Sequence, residues 1–391
     1  MIERNSMDVL RKFAVGYPVL AVTGPRQSGK TTLVRATFPE KPYVSLEDPD
    51  QLESATADPR GFLGLYPDGA VLDEAQRCPS LFSYIQTRVD LDGRSGLFVL
   101  TGSQQFGLLS KITQSLAGRV AIIELLPFSI EELEAAGKVS RDIDDLLFEG
   151  MYPPVRAKGL DPSPWFANYV MTYTERDVRQ LVNIRELGLF RRFLRMCAAR
   201  TGQLLNLSSL ANDCGITHNT ARSWLTVLEA SYIVFLLPPY FRNFGKRIVK
   251  TPKIFFFDPG LAAWLIGVKD REHLAIHPMR GPLFESFAIA EIVKGFLHRG
   301  ESPRVFFWRD SAGNEIDLVV ERGEDLHAYE IKSGKTVSAD YFRGLKRFSA
   351  IASGTRVRPE VIYAGEEEST RDGIPVRPWR ALPKVAAASL H

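Results

Sequence analysis

Residues 24 to 31 read Gly24-Pro25-Arg26-Gln27-Ser28-Gly29-Lys30-Thr31, a complete G-x-x-x-x-G-K-[ST] phosphate loop set directly after the apolar run Tyr17-Pro18-Val19-Leu20-Ala21-Val22. The pattern works only as strand, glycine-rich turn and helix in succession, and the chain supplies that order. Glycines let the backbone curl until successive N–H groups face a phosphate, where the N-terminus of the next helix adds the positive end of its dipole. Lys30 then reaches the β- and γ-phosphates and the Thr31 hydroxyl holds Mg²⁺.

A phosphate loop alone binds nucleotide; hydrolysis needs an acidic group on a neighbouring strand. Gly69-Ala70-Val71-Leu72-Asp73-Glu74 is an apolar run ending in two acids, which places Asp73 at a strand's carboxyl end beside the metal and makes Glu74 the base that orients the attacking water. A third strand, Gly96-Leu97-Phe98-Val99-Leu100, ends in Thr101-Gly102-Ser103-Gln104, and its hydroxyl and amide groups lie at the same sheet edge. Ser103 joins the nucleotide-binding set with Gly24 to Thr32 and Asp73. Tyr43-Val44-Ser45-Leu46 and Val120-Ala121-Ile122-Ile123-Glu124-Leu125 read as further strands, and helices are expected around Met7 to Ala14, Thr31 to Phe38 and Leu81 to Val89. Alternation of this kind implies a mostly parallel sheet with nucleotide at the strand ends. Arg119, just before the last of these strands, is a candidate partner for a γ-phosphate, in its own subunit or in a neighbouring one of a homo-oligomer.

The 391 residues suggest several domains, and 49 basic against 46 acidic residues set up no global field for a polyanion. The stretch from Thr217 to Lys253 is locally basic: Arg222, Arg242, Lys246, Arg247, Lys250 and Lys253 against Glu229 alone. Cys78, Cys197 and Cys214 form no disulfide framework or zinc knuckle and fit a reducing cytosol, so the expected location is cytoplasmic. No run approaches the 18 apolar residues of a membrane span, because Tyr232-Ile233-Val234-Phe235-Leu236-Leu237 stops at Pro238-Pro239.

With Leu72-Asp73-Glu74-Ala75-Gln76, Leu100-Thr101-Gly102-Ser103, Leu116-Ala117-Gly118-Arg119 and Leu126-Pro127-Phe128-Ser129, the loop resembles that of the prokaryotic AAA-type ATPases with a C-terminal DUF4143 domain. The resemblance continues through Gly150-Met151-Tyr152-Pro153 and Phe257-Asp258-Pro259-Gly260-Leu261 to Glu330-Ile331-Lys332-Ser333-Gly334. It implies an ATPase core, a winged-helix segment and a nuclease-like C-terminal fold. Met151 stands where the family usually has a second glycine, which bears on a local turn.

The middle segment repeats that reading independently. Phe190 to Ala199 has helical apolar spacing, Leu207 to Cys214 is a short helix closed by Gly215, and His218 to Ala230 is a helix with Ala221, Leu225 and Leu228 inside. Helix, glycine turn, helix and a β-rich stretch through Phe257 is the order of a winged helix-turn-helix. His218, Asn219, Arg222 and Ser223 would then face a DNA groove, although the same module also serves as a lid or protein contact.

In the C-terminal third, Phe284 to Val293 reads as a helix, and Arg304 to Arg309, Asn314 to Val320 and Leu326 to Lys332 as strands. Glu330 and Lys332 leave the same face of their strand, and Asp317 sits among apolar neighbours, where a carboxylate is costly unless paired or bound to metal. Glu285, Asp317, Glu330 and Lys332 together resemble the PD-(D/E)xK nuclease arrangement. That resemblance implies carboxylates holding Mg²⁺, with Mn²⁺ as an alternative, and a lysine acting on the attacking water. His273 and His277 lack a third ligand and precede Pro278, so no zinc site is expected there.

The resulting expectation is three parts: a P-loop ATPase domain over 1–140, a helical linker and winged-helix region over 141–270, and a PD-(D/E)xK-like α/β domain over 271–391. ATP and Mg²⁺ are the expected cofactors. ATP turnover would be coupled to DNA binding or processing, or would switch a protein partner while the C-terminal domain stays catalytically silent.

Overall fold

The computed structural model describes residues 2–102, 112, 115–179, 186–240, 250–352 and 354–388. The chain divides into two compact units. Unit 1 comprises Met1–Phe128 with Ala230–Tyr232 and Leu297–Glu301, and unit 2 comprises Ser129–Glu229, Ile233–Phe296 and Ser302–His391. Most of the two stretches read from sequence as a middle and a C-terminal part thus share unit 2.

Unit 1 contains strands β1 (Val19–Thr23), β2 (Tyr43–Ser45), β3 (Ala70–Asp73), β4 (Phe98–Thr101) and β5 (Val120–Glu124), in the spatial order β2-β3-β4-β1-β5. Every pairing is parallel. Because neighbouring residues on a strand face opposite sides of a sheet, these largely apolar strands need cover on both faces. Leu20 and Val22 of β1, Val71 of β3 and Val99 of β4 join one core with Met7 and Leu10 of α1 (Ser6–Gly16) and Leu33 and Val34 of α2 (Lys30–Thr37). Their alternates Val19, Ala21, Leu72, Phe98 and Leu100 join a second core with Phe62, Leu81, Phe82 and Ile85. The last three belong to α3 (Leu81–Asp92). All five strands lie where the apolar runs place them, and the three layers present the strand ends Thr23, Asp73 and Thr101 along one edge.

Unit 2 holds three consecutive helices, α4 (Leu187–Ala198), α5 (Leu207–Cys214) and, up to Glu229, α6 (His218–Ala230). Phe190 and Phe193 of α4 lie edge-on to Trp224 of α6, with ring centroids 5.3 and 5.5 Å away. Gly215 closes α5 at φ 70°, and the Thr217 hydroxyl accepts from the Thr220 amide to start α6. An antiparallel pair follows, β6 (Val234–Leu237) with β7 (Lys253–Phe256). Arg242, Lys246 and Arg247 of the basic stretch lie outside the described residues.

The rest of unit 2 is built around α7 (Arg280–Leu297, within this unit to Phe296) and a six-stranded sheet. Its strands are β8 (Val305–Arg309), β9 (Glu315–Arg322), β10 (Asp325–Lys332), β11 (Arg356–Tyr363), β12 (Ser369–Arg371) and β13 (Ile374–Pro378), ordered β12-β13-β11-β10-β9-β8. β8, β9 and β10 form an antiparallel meander, and β11 pairs parallel with both β10 and β13. Leu345 and Phe348 of α8 (Arg343–Ile351) pack with Ile316, Val319, Leu326, Ala328 and Val361 beneath one face.

Candidate functional site

Thr23 ends β1 and the chain turns at once into the phosphate loop. Gly24 has φ 144°, and a Cβ there would collide with the Leu125 carbonyl oxygen, so only glycine fits. Gly29, at φ 96°, caps α2. Lys30 is the first residue of that helix and only 7% exposed; its Nζ donates to the carbonyls of Gly24, at 3.0 Å, and Pro25, at 2.7 Å. The ammonium therefore stands over the curl of the loop. Arg4 fixes the loop from beneath: it donates to the Ser28 carbonyl at 2.7 Å and to the Leu126 carbonyl at 2.7 Å, and stacks 4.8 Å from the Phe128 ring centre.

Asp73, at the end of β3, gathers three hydroxyls. Its Oδ2 accepts from Thr31 at 3.0 Å and Tyr43 at 2.5 Å, and its Oδ1 accepts from Thr101. Burial and the adjacent Asp73 carboxylate push the Tyr43 phenol well above its ordinary pKa, so it stays a donor. Side chains from α2, β2 and β4 thus converge on the one carboxylate that ends β3. A hydroxyl and a carboxylate within hydrogen-bond distance are a hard-oxygen pair of the kind Mg²⁺ selects, so Thr31 and Asp73 fit the ion they were expected to hold. Glu74 follows in the left-handed region at φ 53°, and its carboxylate accepts from the Gln76 amide. Ser103 lies outside the described residues.

Arg119 is not brought to this edge. β1 and β5 pair Val19 with Val120 and Thr23 with Glu124, so Arg119 stands beside the start of β1, about 13 Å along the strands from the loop. Its guanidinium grips Asp90 with Nε to Oδ1 at 2.5 Å and Nη2 to Oδ2 at 2.9 Å. Its place just ahead of β5 in sequence said nothing about which end of the sheet it would occupy.

In unit 2, Glu285, Asp317, Glu330 and Lys332 do come together, from α7, β9 and β10. Asp317 Oδ2 accepts from the Ile331 amide at 2.7 Å and from Lys332 Nζ at 3.2 Å, and the same ammonium lies 2.6 Å from Glu330 Oε1. Sequence reading missed two members. Lys253 of β7 places Nζ 3.0 Å from Glu285 Oε1 and in contact with Glu315 Oε1. In sequence it closes the locally basic stretch, yet its side chain is 5% exposed. The signal was its position at the head of the apolar run Ile254-Phe255-Phe256. Burial first, then the neighbouring Asp317 charge, push both Glu285 and Glu330 up to about 7. Among the described residues, no group of three or more His, Cys, Asp or Glu side chains is arranged to hold a metal ion. Oxygens of the expected acids are instead engaged by the ammonium groups of Lys253 and Lys332.

On α6, His218, Asn219, Arg222 and Ser223 are exposed while Ala221, Trp224, Leu225 and Leu228 are buried. Among the described residues, no helix is long and apolar enough to cross a membrane.

The AAA domain family matches residues 16–134, and two domains of unknown function, DUF8612 and DUF4143, match residues 140–272 and 280–382. Two mycobacterial relatives, uncharacterized protein Rv2008c of Mycobacterium tuberculosis and uncharacterized protein Mb2031c of Mycobacterium bovis, are each 31% identical over 370 residues, spanning 94% of this chain and 81% of theirs. Among solved structures, the Walker-type ATPase paby2304 of Pyrococcus abyssi aligns over 68% of this chain and 96% of its own, at 16% identity and a TM-score of 0.45. AMPPCP-bound DnaA from Aquifex aeolicus aligns over 57% and 85%, at 16% identity and a TM-score of 0.31. Those two likenesses are too low to carry an argument, and the assignment rests on the sequence relatives. The chain belongs to the family of these mycobacterial proteins, AAA-type P-loop ATPases with a C-terminal DUF4143 domain.

Proposed function

We propose that unit 1 binds ATP with Mg²⁺ and hydrolyses it, with Gly24 to Thr32 around the phosphates, Lys30 against the β- and γ-phosphates, Thr31 and Asp73 toward the ion and Glu74 orienting the attacking water. Bound Mg²⁺ would neutralise charge developing on the phosphates. The observation that carries this reading is the convergence of Thr31, Tyr43 and Thr101 on Asp73, which holds a carboxylate rigidly beside the phosphate loop. ATP turnover by the purified chain, absent in a folded Lys30→Ala variant that no longer binds nucleotide, supports it. Equal turnover in that variant places the activity elsewhere.

The output of the ATPase is proposed to be DNA binding through α6, whose exposed residues include Arg222, in a winged-helix arrangement of α4, α5, α6, β6 and β7. Binding that weakens steeply with salt and is blunted in Arg222→Ala supports it, since each lost phosphate contact lowers the slope of log K against log salt by about 0.9. A second reading, a nucleotide-controlled switch on a protein partner with a silent C-terminal domain, is favoured by a specific observation: Lys253 and Lys332 already engage Glu285, Asp317 and Glu330. Cleavage of DNA or RNA by the purified chain under Mg²⁺ or Mn²⁺, abolished in Asp317→Ala, would remove that second reading.

A further inference from the structure

We propose that Lys253 is an internal cation that takes the place of a divalent metal in the C-terminal carboxylate cluster, so that this domain keeps a nuclease-like arrangement without a metal centre. The proposal rests on the likeness of Glu285, Asp317, Glu330 and Lys332 to the PD-(D/E)xK arrangement.

Four carboxylates, those of Glu285, Glu315, Asp317 and Glu330, act on one another in the interior of unit 2. Such a group is unstable unless cations neutralise it. Lys253 lies 3.0 Å from Glu285 Oε1 and also touches Glu315 Oε1, while Arg309 Nη1 reaches Glu315 Oε2 at 3.3 Å. Lys332 spans Asp317 and Glu330. The ammonium groups therefore occupy oxygen lone pairs that a hard divalent ion would need as ligands.

The two lysines differ in how firmly they are held. The Lys332 side chain is 33% exposed, whereas that of Lys253 is 5% exposed. The Lys253 ammonium also sits 5.9 Å from the Phe255 ring centre and 5.6 Å from that of Phe307, two aromatic faces that attract a cation. Lys253 arrives on β7, a strand outside the sheet that holds β9 and β10, and ties that strand to α7 through Glu285 and to β9 through Glu315. It is the cation the cluster is built around, and a metal would have to displace a buried side chain to enter.

The test is thermal unfolding of the full chain, free of nucleotide, in EDTA and in millimolar Mn²⁺ or Mg²⁺, for wild type, Lys253→Met and Lys253→Met with Glu285→Gln. Wild type is expected to show the same midpoint with and without metal. Lys253→Met keeps the stem but strands the carboxylates, so it unfolds at lower temperature in EDTA and is restored by Mn²⁺, because binding to the folded state alone stabilises it. The double variant regains stability without metal and loses the metal response. A wild-type midpoint raised by Mn²⁺, with the rise lost in Asp317→Ala, overturns the role of Lys253 and leaves the nuclease-like reading standing. A folded Lys253→Met that ignores metal overturns both. If Lys253→Met does not fold, calorimetric titration of wild type with Mn²⁺ decides: heat of binding that disappears in Asp317→Ala overturns the proposal, and its absence supports it.

Discussion

Replacing Arg4 by alanine should loosen the phosphate loop from a position that touches no nucleotide. Arg4 is 6% exposed and its guanidinium makes two hydrogen bonds of 2.7 Å, to the carbonyls of Ser28 and Leu126, besides its contact with Phe128. A hydrogen bond to a charged group is worth about 1.5–3 kcal/mol and a cation over an aromatic face about 0.5–2 kcal/mol. Truncation also strips both carbonyls of this donor, and water entering behind it would recover part of the loss. The sum, reduced for that solvation, is about 3–5 kcal/mol. Hydrogen exchange of the Leu20 and Val22 amides, on a strand flanked on both sides by β4 and β5, reads the opening free energy of unit 1 directly. Because one of the two bonds holds the loop itself, ATP affinity should fall about tenfold, equivalent to about 1.4 kcal/mol. Arg4→Lys, with one ammonium for two carbonyls, should lose about half as much. Protection within about 1 kcal/mol of wild type in Arg4→Ala, together with unchanged ATP affinity, would refute this account of the loop.

The C-terminal cluster makes stability depend on pH. Glu285 and Glu330 are raised from 4.5 to about 7, so their contribution is fully present below the ordinary carboxylate range and is lost as pH rises through about 7. All five tryptophans, Trp165, Trp224, Trp264, Trp308 and Trp379, lie in unit 2, and their fluorescence in urea should show a midpoint that falls between pH 5.5 and 8, a fall that Glu285→Gln flattens. A midpoint rising over that window would contradict the placement of these acids. Arg119→Ala should leave ATP turnover within about twofold of wild type, since the side chain is paired with Asp90 away from the loop. A loss of about 10³, the size expected for a charge on the γ-phosphate, would show that it acts across a subunit interface.

The nucleotide site was legible because its chemistry is local. Gly24, Gly29, Lys30 and Thr31 are consecutive on a curl that admits few residue types, and Asp73 ends an apolar strand that can only be a buried one. Tyr43 and Arg4 were not legible: the first reaches Asp73 only because β2 pairs with β3, and the second only because the segment before α1 runs under the loop. Arg119 shows the same limit from the other side, since its nearness in sequence to β5 hid its distance from the strand ends that matter. In unit 2, two-residue spacing found Glu330 and Lys332, and β9 brought Asp317 beside them. Lys253 stayed hidden because a lysine near Arg247 and Lys250 in sequence reads as solvated charge, and its burial comes from distant partners, Glu285, Glu315 and Phe307.

The central claim is that Glu74 turns a nucleotide-binding loop into a hydrolytic site, and Glu74→Gln tests it most directly. The amide keeps the shape of the side chain but cannot take up a proton from, or polarise, the attacking water. Equilibrium binding of ATP and single-turnover hydrolysis should be measured on the same preparations of wild type and variant. ATP affinity should stay within about threefold of wild type while the hydrolysis rate falls by about 10²–10⁴. Hydrolysis at the wild-type rate with ATP bound as tightly would contradict it and move the catalytic base to another residue.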